Sequence, residues 1–160
     1  MSSSEEIPSY YWDACVFLAY VKGEEDRVPD IEGLLEAARR HECEIVTSTL
    51  TIVEVSSGVT QLTGKREHAA EMRIDGLWST SSPINLIEFS RSVAEAARDY
   101  KRRAVDLGRA LSTMDAIHLA SAVELQVDAL HTYDTKLGGW ADEVPIKIEE
   151  PRGSDRPMSL

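Results

Sequence analysis

The sequence has little cysteine and no long hydrophobic run, and each absence excludes a class of protein. Its 160 residues include two cysteines, Cys15 and Cys43. Two thiols cannot build a disulfide framework or a cysteine-rich zinc site, and their apolar surroundings favour two reduced, buried side chains. No apolar run approaches the roughly 18 residues of a membrane span, and residues 1–6 lack the basic and apolar regions of a signal peptide. We therefore expect a cytoplasmic protein without membrane contact.

The sequence also lacks an excess of basic residues. Its formal net charge is −11, whereas a protein that binds nucleic acid by electrostatic attraction alone should be basic. An enzyme that holds cations in an acidic pocket remains compatible with this charge, because the bound metal is then the main local positive charge. A dinucleotide-binding domain is excluded by the absence of a Gly-x-Gly-x-x-Gly segment.

What the sequence does contain is a regular alternation of short strand patterns and helical patterns. Strands are predicted at 10–12, 44–47, 84–89, just before Asp134, and at 144–148, with helices between them. Residues 14–21 are apolar enough to extend the first strand or to begin a buried helix, and we favour a helix that follows Asp13. This alternation predicts an α/β fold with a central parallel sheet and helices on both faces. We expect one domain over 10–148, a loose segment at 1–9 and a polar tail at 149–160.

Four acidic residues occupy unusual positions in this pattern. Asp13 ends the first strand, Glu54 lies inside an apolar helical segment, Asp115 opens an apolar helix, and Asp134 ends the strand that follows. Strand ends and helix N-termini gather at one edge of a parallel sheet, so these side chains are expected to meet there. Taken singly, Asp115 could merely complement the helix dipole behind an N-cap at Thr113, and Asp134 could be a turn residue.

Four converging carboxylates would repel one another and raise their own pKa values. Divalent cations relieve that repulsion, and ligation by oxygen alone suits Mg²⁺ or Mn²⁺. Two such ions about 3.5–4 Å apart are a common arrangement for in-line displacement at phosphorus. The four residues therefore predict metal-dependent phosphoryl chemistry.

At these positions the sequence resembles the PIN-domain ribonucleases, and especially the VapC-type toxins of toxin–antitoxin systems. The matching residues are Asp13 in Tyr-Trp-Asp-Ala-Cys-Val-Phe-Leu, Glu54 in Thr-Ile-Val-Glu-Val, Asp115 in Met-Asp-Ala-Ile-His-Leu-Ala-Ser-Ala, and Asp134 in His-Thr-Tyr-Asp-Thr-Lys-Leu. Their order and spacing hold over residues 10–148. One departure is Cys15, which stands where the family usually has serine or threonine, so the hydroxyl contact near Asp13 is in question.

The resemblance implies a PIN-like three-layer sandwich and a Mg²⁺- or Mn²⁺-dependent ribonuclease. It implies that Asp13, Glu54, Asp115 and Asp134 are the catalytic and metal-binding residues, and that a metal-activated water hydrolyses RNA phosphodiester bonds. Thr132 matches a hydroxyl position that supports the acidic cluster in the family, and Thr113 lies close to Asp115. An antitoxin partner and a homodimer are also implied.

Other residues and other functions fit parts of the pattern. His118, three residues after Asp115, is expected to be a buried, hydrogen-bonded histidine rather than a metal ligand or general base. The basic run at Arg98, Lys101, Arg102, Arg103 and Arg109 is either a solvated helix face or an RNA contact. A non-catalytic PIN-like scaffold that binds protein is the alternative function. A phosphoacceptor domain is disfavoured because Lys136 is misplaced for that chemistry and Glu54 would have no role.

Overall fold

The computed structural model describes residues 6–153 and contains five strands and a series of helices within that range. The strands are β1 (Ser9–Trp12), β2 (Glu44–Ser48), β3 (Ile84–Ile87), β4 (Ala129–His131) and β5 (Lys147–Glu149). The helices are α1 (Ala14–Lys22), α2 (Val28–Arg39), α3 (Leu50–Thr63), α4 (His68–Leu77), α5 (Arg91–Leu107), α6 (Thr113–Glu124) and the short α7 (Thr135–Gly138). A 3₁₀ helix over Gly139–Glu143 precedes β5.

The five strands form one parallel sheet in the order β3-β2-β1-β4-β5. The chain moves outward from β1 through β2 to β3, then returns to pair β4 with the other side of β1. The strand order therefore reverses between β1 and β4, and open α/β sheets place their ligand sites outside the carboxyl ends of strands at such a point. Asp13 and Thr132 each directly follow one of these two strands.

Two hydrophobic cores cover the two faces of the sheet, because alternate strand residues point to opposite sides. On β1, Trp12 joins the core beneath α1 to α4, whereas Tyr11 joins the core beneath α5, α6 and the 3₁₀ helix. On β2, Ile45 and Val46 divide in the same way. The predicted three-layer α/β sandwich with a parallel sheet is confirmed.

Two elements differ from what their local sequence indicates: a glycine such as Gly58 is typical of a helix end, and Asp30 is typical of an N-cap. Helix α3 does not end near Gly58 but continues to Thr63, and Gly64 (φ 67°) is its C-cap. A Cβ atom at Gly58 would lie 3.0 Å from both terminal methyl carbons of Leu18, so this glycine allows α1 and α3 to approach closely. Asp30 is not the N-cap of its helix, because α2 begins at Val28 with Pro29 in its first turn.

Both ends of the described range are attached to the domain. The Ser9 backbone N–H donates to the Asp128 carboxylate (2.7 Å), and the Gly153 N–H donates to the buried Asp30 carboxylate (3.0 Å). Glu149, the first residue of the predicted polar tail, is the last residue of β5. The other parts of these predictions concern residues 1–5 of the loose segment and residues 154–160 of the tail, which lie outside the described residues.

Among the helices of residues 6–153, none is both long and apolar enough to cross a bilayer.

Candidate functional site

Asp13 is held rigidly at the end of β1. Its Oδ1 accepts the Cys15 backbone N–H (3.1 Å), which makes Asp13 the N-cap of α1, and its Oδ2 accepts the Thr132 hydroxyl (2.5 Å). The side chain is only 2% exposed. Thr132 thus supplies a hydroxyl contact to Asp13 from the neighbouring strand, whereas Cys15 contributes its backbone N–H.

Thr132 also connects Asp13 with Asp134. The Asp134 N–H donates to the Thr132 Oγ1 (3.0 Å), and the Asp134 carboxylate accepts the Lys136 N–H (2.8 Å) as the N-cap of α7. Because a threonine hydroxyl donates one proton and accepts others, it can bridge the two acidic residues in this way. Asp134 is therefore a turn residue, and the same turn connects it through the Thr132 hydroxyl with Asp13.

Asp115 lies in the first turn of α6, and its N–H donates to the Ser112 Oγ (3.1 Å). Ser112 is therefore the N-cap, and the alternative of an N-cap at Thr113 was wrong. Thr113 is exposed, and it is the Ser112 hydroxyl that lies against the Asp115 carboxylate and lowers its pKa. The spacing of a serine three residues before an acidic residue is a sequence signature of a helix N-terminus and could have identified Ser112.

Glu54 lies in the second turn of α3, and its Oε1 is 2.8 Å from Nε2 of His118. His118 is 1% exposed, and its Nδ1 is 2.8 Å from the Tyr11 hydroxyl. The structure thus agrees with the expectation of a buried, hydrogen-bonded His118. Tyr11 was missed by sequence reasoning, because no short-range signal connects residues that are 107 positions apart.

Asp13, Glu54 and Asp115 line one pocket of about 590 Å³. Most of its remaining wall is apolar and comes from α1, α3 and the start of α6: Leu18, Leu50, Val53, Gly58 and Met114. Asp134 lies outside this lining, but its charge raises the pKa of Asp115. The structure therefore brings three of the predicted acidic residues into one pocket and places the fourth next to it.

The pocket raises the pKa values of its two aspartates. Burial, partly offset by His118 and by the Thr132 hydrogen bond, raises the pKa of Asp13 to about 6, and the charges of Asp115 and Glu54 add to the increase. The pKa of Asp115 is also raised, first by burial and next by the charge of Asp134. No lysine or arginine is among the described groups that shift either pKa. Such carboxylates gain from a nearby cation.

The donor set fits a hard divalent cation, since it consists of carboxylate oxygens. Within residues 6–153, however, no three histidine, cysteine, aspartate or glutamate side chains are grouped as a complete metal site. The Asp13 and Asp134 carboxylates accept hydrogen bonds from Thr132 and from backbone N–H groups, and Glu54 contacts His118. A shared cation would bind the carboxylate lone pairs that these contacts leave.

The basic run is paired within the protein. Its members contact a carboxylate or a carbonyl: Arg98 and Arg102 with Asp99 (3.1 and 3.9 Å), Arg103 with Glu143 (3.3 Å), Arg109 with Asp142 (2.9 Å), and Lys101 with the Leu111 carbonyl (2.5 Å). These contacts favour the interpretation of the run as a solvated, internally compensated face.

Comparison with known proteins agrees with this architecture. The sequence profile of the PIN domain matches residues 10–141, most of the chain. The chain therefore belongs to the PIN-domain family. Among curated proteins, no sequence matches it.

Several solved structures share this fold. VapBC2 of Rickettsia felis, solved with a promoter DNA fragment, has a TM-score of 0.68 at 17% identity, with 89% of this chain and 97% of the other covered. VapC20 of Mycobacterium tuberculosis, described as a toxin that cleaves the sarcin–ricin loop, has a TM-score of 0.64 at 15% identity and covers 81% and 93% of the two chains. FitAcB of Neisseria gonorrhoeae has a TM-score of 0.65 at 16% identity, with 89% and 97% covered.

Proposed function

We propose that this protein is a metal-dependent ribonuclease that hydrolyses RNA phosphodiester bonds. The observation that carries the proposal is the position of Asp13, Glu54 and Asp115 on one pocket at the point where the strand order reverses, with Asp134 beside them. Burial is the main cause of the raised pKa of Asp13, and a cation bound beside this carboxylate would favour its ionised form. Membership in the PIN-domain family supports the same activity.

The four acidic residues would hold Mg²⁺ or Mn²⁺. Divalent cations supply Lewis acidity at such sites, which lowers the pKa of a water nucleophile and stabilises charge on the phosphoryl oxygens. Thr132 orients the Asp13 carboxylate, and Ser112 holds the backbone of Asp115, so these two hydroxyls act through the acids rather than on the substrate.

RNA would reach the pocket through the cations rather than through arginines. The basic run is already compensated by Asp99, Asp142, Glu143 and a backbone carbonyl. Tyr133, next to Asp134, has the Arg27 guanidinium 4.0 Å from its ring centroid. This ring is therefore engaged in packing, so the cations that the acidic residues would hold would be the main attraction for a polyanionic substrate.

We also propose a toxin role, with an antitoxin that supplies a basic side chain to the acidic pocket. Several proteins of the same fold were solved as toxin–antitoxin complexes. On this chain the apolar pocket wall continues to Val53, which is 67% exposed, so a partner segment could cover apolar surface and neutralise the acids together. A homodimer belongs to the same proposal, and light scattering of the purified protein measures it.

The proposal is tested by incubating purified protein with a pool of single-stranded RNA in Mg²⁺ and then in Mn²⁺. We expect cleavage that EDTA abolishes and that Asp13→Asn and Asp115→Asn each reduce by at least about 100-fold, because each removes a charged ligand. Asp142→Asn is the matched control. It removes an exposed carboxylate outside the pocket and should leave cleavage unchanged.

Cleavage that survives in the Asp13 and Asp115 variants would mean that a contaminant cuts the RNA. If neither cleavage nor Mn²⁺ binding by calorimetry is observed, the nuclease proposal fails and the non-catalytic scaffold becomes the better interpretation.

A further inference from the structure

A second pocket, of about 640 Å³, lies beside β4 and β5 on the face of the sheet that α1 to α4 cover. His131 of β4 is paired in register with Trp12 of β1 and with Glu149 of β5, so these three side chains point to the same face. The other face of β5 is packed by α7 and the 3₁₀ helix. The residues that line the pocket are Tyr10, His131, Glu149, Glu150 and Arg152.

The segment that follows β5 forms one wall of this pocket and is fixed to α2. Pro151 is buried, and the Gly153 N–H donates to the Asp30 carboxylate (3.0 Å). A Cβ atom at Gly33 would lie 3.2 Å from the Gly153 Cα atom, so the segment lies directly against the helix. The two charged side chains that this segment adds to the pocket therefore extend from a backbone that is held in place.

His131 presents an unused hydrogen-bond donor to the pocket. Its side chain is 2% exposed, the Tyr10 ring stacks on it with 4.4 Å between ring centroids, and its Nδ1 is 3.0 Å from Nε1 of Trp12. Because an indole N–H can only donate, Nδ1 is the acceptor and the N–H of the imidazole is at Nε2. Within residues 6–153, Nε2 has no hydrogen-bond partner, yet it is not among the fully enclosed unpaired atoms, so it reaches the pocket that the ring lines.

The chemistry of the lining restricts what this pocket can bind. Two carboxylates against one guanidinium leave a net charge of −1, which disfavours a phosphate group. A metal ion would need a lone pair on the free nitrogen of His131, but that nitrogen carries the N–H. A lysine or arginine of a protein partner would satisfy the carboxylates but offers no acceptor for the imidazole N–H. The ligand should therefore combine neighbouring donors, for a carboxylate, with an acceptor.

A guanine base has this combination. Its N1–H and N2–H₂ groups are neighbouring donors that one carboxylate can accept together, and its O6 acceptor lies beside them. Adenine, cytosine and uracil each present a single donor group on the same edge of the base. We propose that the pocket binds a guanine base of RNA, with Glu149 accepting from N1–H and N2–H₂ and with Nε2–H of His131 donating to O6. Glu149 is the carboxylate that lies in register with His131.

The inference rests on the proposed ribonuclease function, which supplies RNA as the source of the base. His131 and Glu149 are the last residues of β4 and β5, so the pocket lies at the same edge of the sheet as the acidic cluster. A guanine held there would fix an RNA strand at this edge through a base, while the cations of the acidic pocket bind its phosphates. Recognition of the base would then select which RNA is cut.

NMR titration of the protein in EDTA measures base recognition without metal and without cleavage. We expect guanosine monophosphate to bind at least about tenfold more tightly than the adenosine, cytidine and uridine monophosphates, with inosine monophosphate between them because it lacks the N2 amine. The single-stranded RNA UUGUU should show the same preference over UUAUU. Selective binding of guanosine monophosphate without a preference between the two RNAs would mean that the pocket takes a free nucleotide, which would overturn RNA as the source of the base.

Substitutions test the two residues that contact the base. Glu149→Gln should lose about tenfold or more of the affinity for guanosine monophosphate, because its amide places a donor opposite a donor of the base. Glu95→Gln is the matched control, since it removes an exposed carboxylate of α5 on the other face of the sheet.

His131→Phe should also reduce the affinity, but it leaves the Trp12 N–H without its acceptor, so urea unfolding has to show that this variant folds. On the unaltered protein, the Nε2–H signal of His131 should shift when guanosine monophosphate is added. This shift tests the same contact without a substitution.

The inference is overturned if guanosine and adenosine monophosphate bind equally, or if Glu149→Gln keeps the preference for guanine. It is also overturned if arginine amide binds more tightly than guanosine monophosphate, which would indicate a basic protein segment as the ligand. Selective binding of UUGUU without any RNA cleavage would refute the nuclease proposal but leave the guanine pocket intact. Metal-dependent cleavage without a guanine preference in binding would have the opposite result.

Discussion

The acidic pocket and the charged rim, which consists of the pairs Arg103–Glu143 and Arg109–Asp142, place aspartates in opposite electrostatic environments. In the pocket, burial and neighbouring acids raise the pKa values of Asp13 and Asp115. On the rim, the Arg109 guanidinium makes two hydrogen bonds to Asp142 (2.9 and 3.0 Å), and this contact lowers the pKa of Asp142 and raises that of Arg109. The rim compensates its charge locally, whereas the pocket does not.

This difference in charge compensation indicates where a cation would bind. A carboxylate that already has an arginine has little to gain from a metal ion, and in water such a pair contributes little to stability. A buried carboxylate with a raised pKa costs the folded protein free energy while it is ionised, and a bound cation returns that free energy. The acidity of the whole chain is therefore a poor guide to the site, and the compensation of each carboxylate is a better one.

The largest expected effect that separates the two regions is the pH dependence of folding in EDTA. The pKa of Asp13 is about 6 in the folded state and near its ordinary value of about 3.9 in the unfolded state, so the unfolded state loses its proton first as pH rises. Stability should therefore fall between about pH 4 and pH 6, by about 3 kcal/mol from Asp13 alone at roughly 1.4 kcal/mol per pKa unit. Urea unfolding across this range measures it.

In Asp13→Asn this loss should be absent, which makes the variant more stable than the parent at pH 7 although it cannot hold the cation. Asparagine still caps α1 well, so the comparison isolates the charge. Asp142→Asn should keep the parent's pH dependence. A parent whose stability rises from pH 4 to pH 7 as steeply as that of Asp13→Asn would contradict the raised pKa.

A second effect, of intermediate size, is stabilisation by the cation at pH 7. A ligand that binds only the folded state at 100 times its dissociation constant stabilises it by about 2.7 kcal/mol. We expect Mn²⁺ to raise the melting temperature accordingly, EDTA to reverse the increase, and Asp115→Asn to reduce it. Calorimetric melting with and without Mn²⁺ gives the values. An equal gain in Asp115→Asn and the parent would place the cation elsewhere.

The smallest expected effect is that of breaking the rim pair. Asp142→Asn removes the partner of Arg109, but both groups are solvated and the pair is screened by salt. The urea midpoint should therefore stay within the reproducibility of the measurement, at low and at high salt. A clear, salt-sensitive loss of stability would mean that the rim pair contributes to folding and that the rim and the pocket differ less than we expect.

The features that were predictable from sequence depend on local patterns. Apolar residues follow both Asp13 and Asp115, so each acid precedes or opens a buried helix. A helix that packs on the sheet after a strand begins at the carboxyl edge of the sheet, and this places the two acids at that edge. The convergence of these acids then follows from the parallel topology alone. The N-cap at Ser112 was also within reach of a local motif, and it was missed because Thr113 offers a second hydroxyl one residue later.

The features that were not predictable depend on long-range contacts. Glycine is a weak helix former, yet α3 continues beyond Gly58, where Leu18 of α1 packs closely against it. The pairing of Arg103 with Glu143 joins residues 40 positions apart, and no helical spacing indicates it. The same holds for Tyr11 and His118, whose contact exists only because β1 and α6 pack together.

Gly58 also makes the width of the pocket a property that can be altered separately from its charge. It lies one helical turn beyond Glu54, and it faces Leu18 on the helix that Asp13 caps. A methyl group at this position would act as a wedge between the two helices that carry these acids, and Leu18 would have to yield by a few tenths of an ångström. Substitution of Gly58 could therefore fit the pocket to a larger ion without substituting any of the acidic residues.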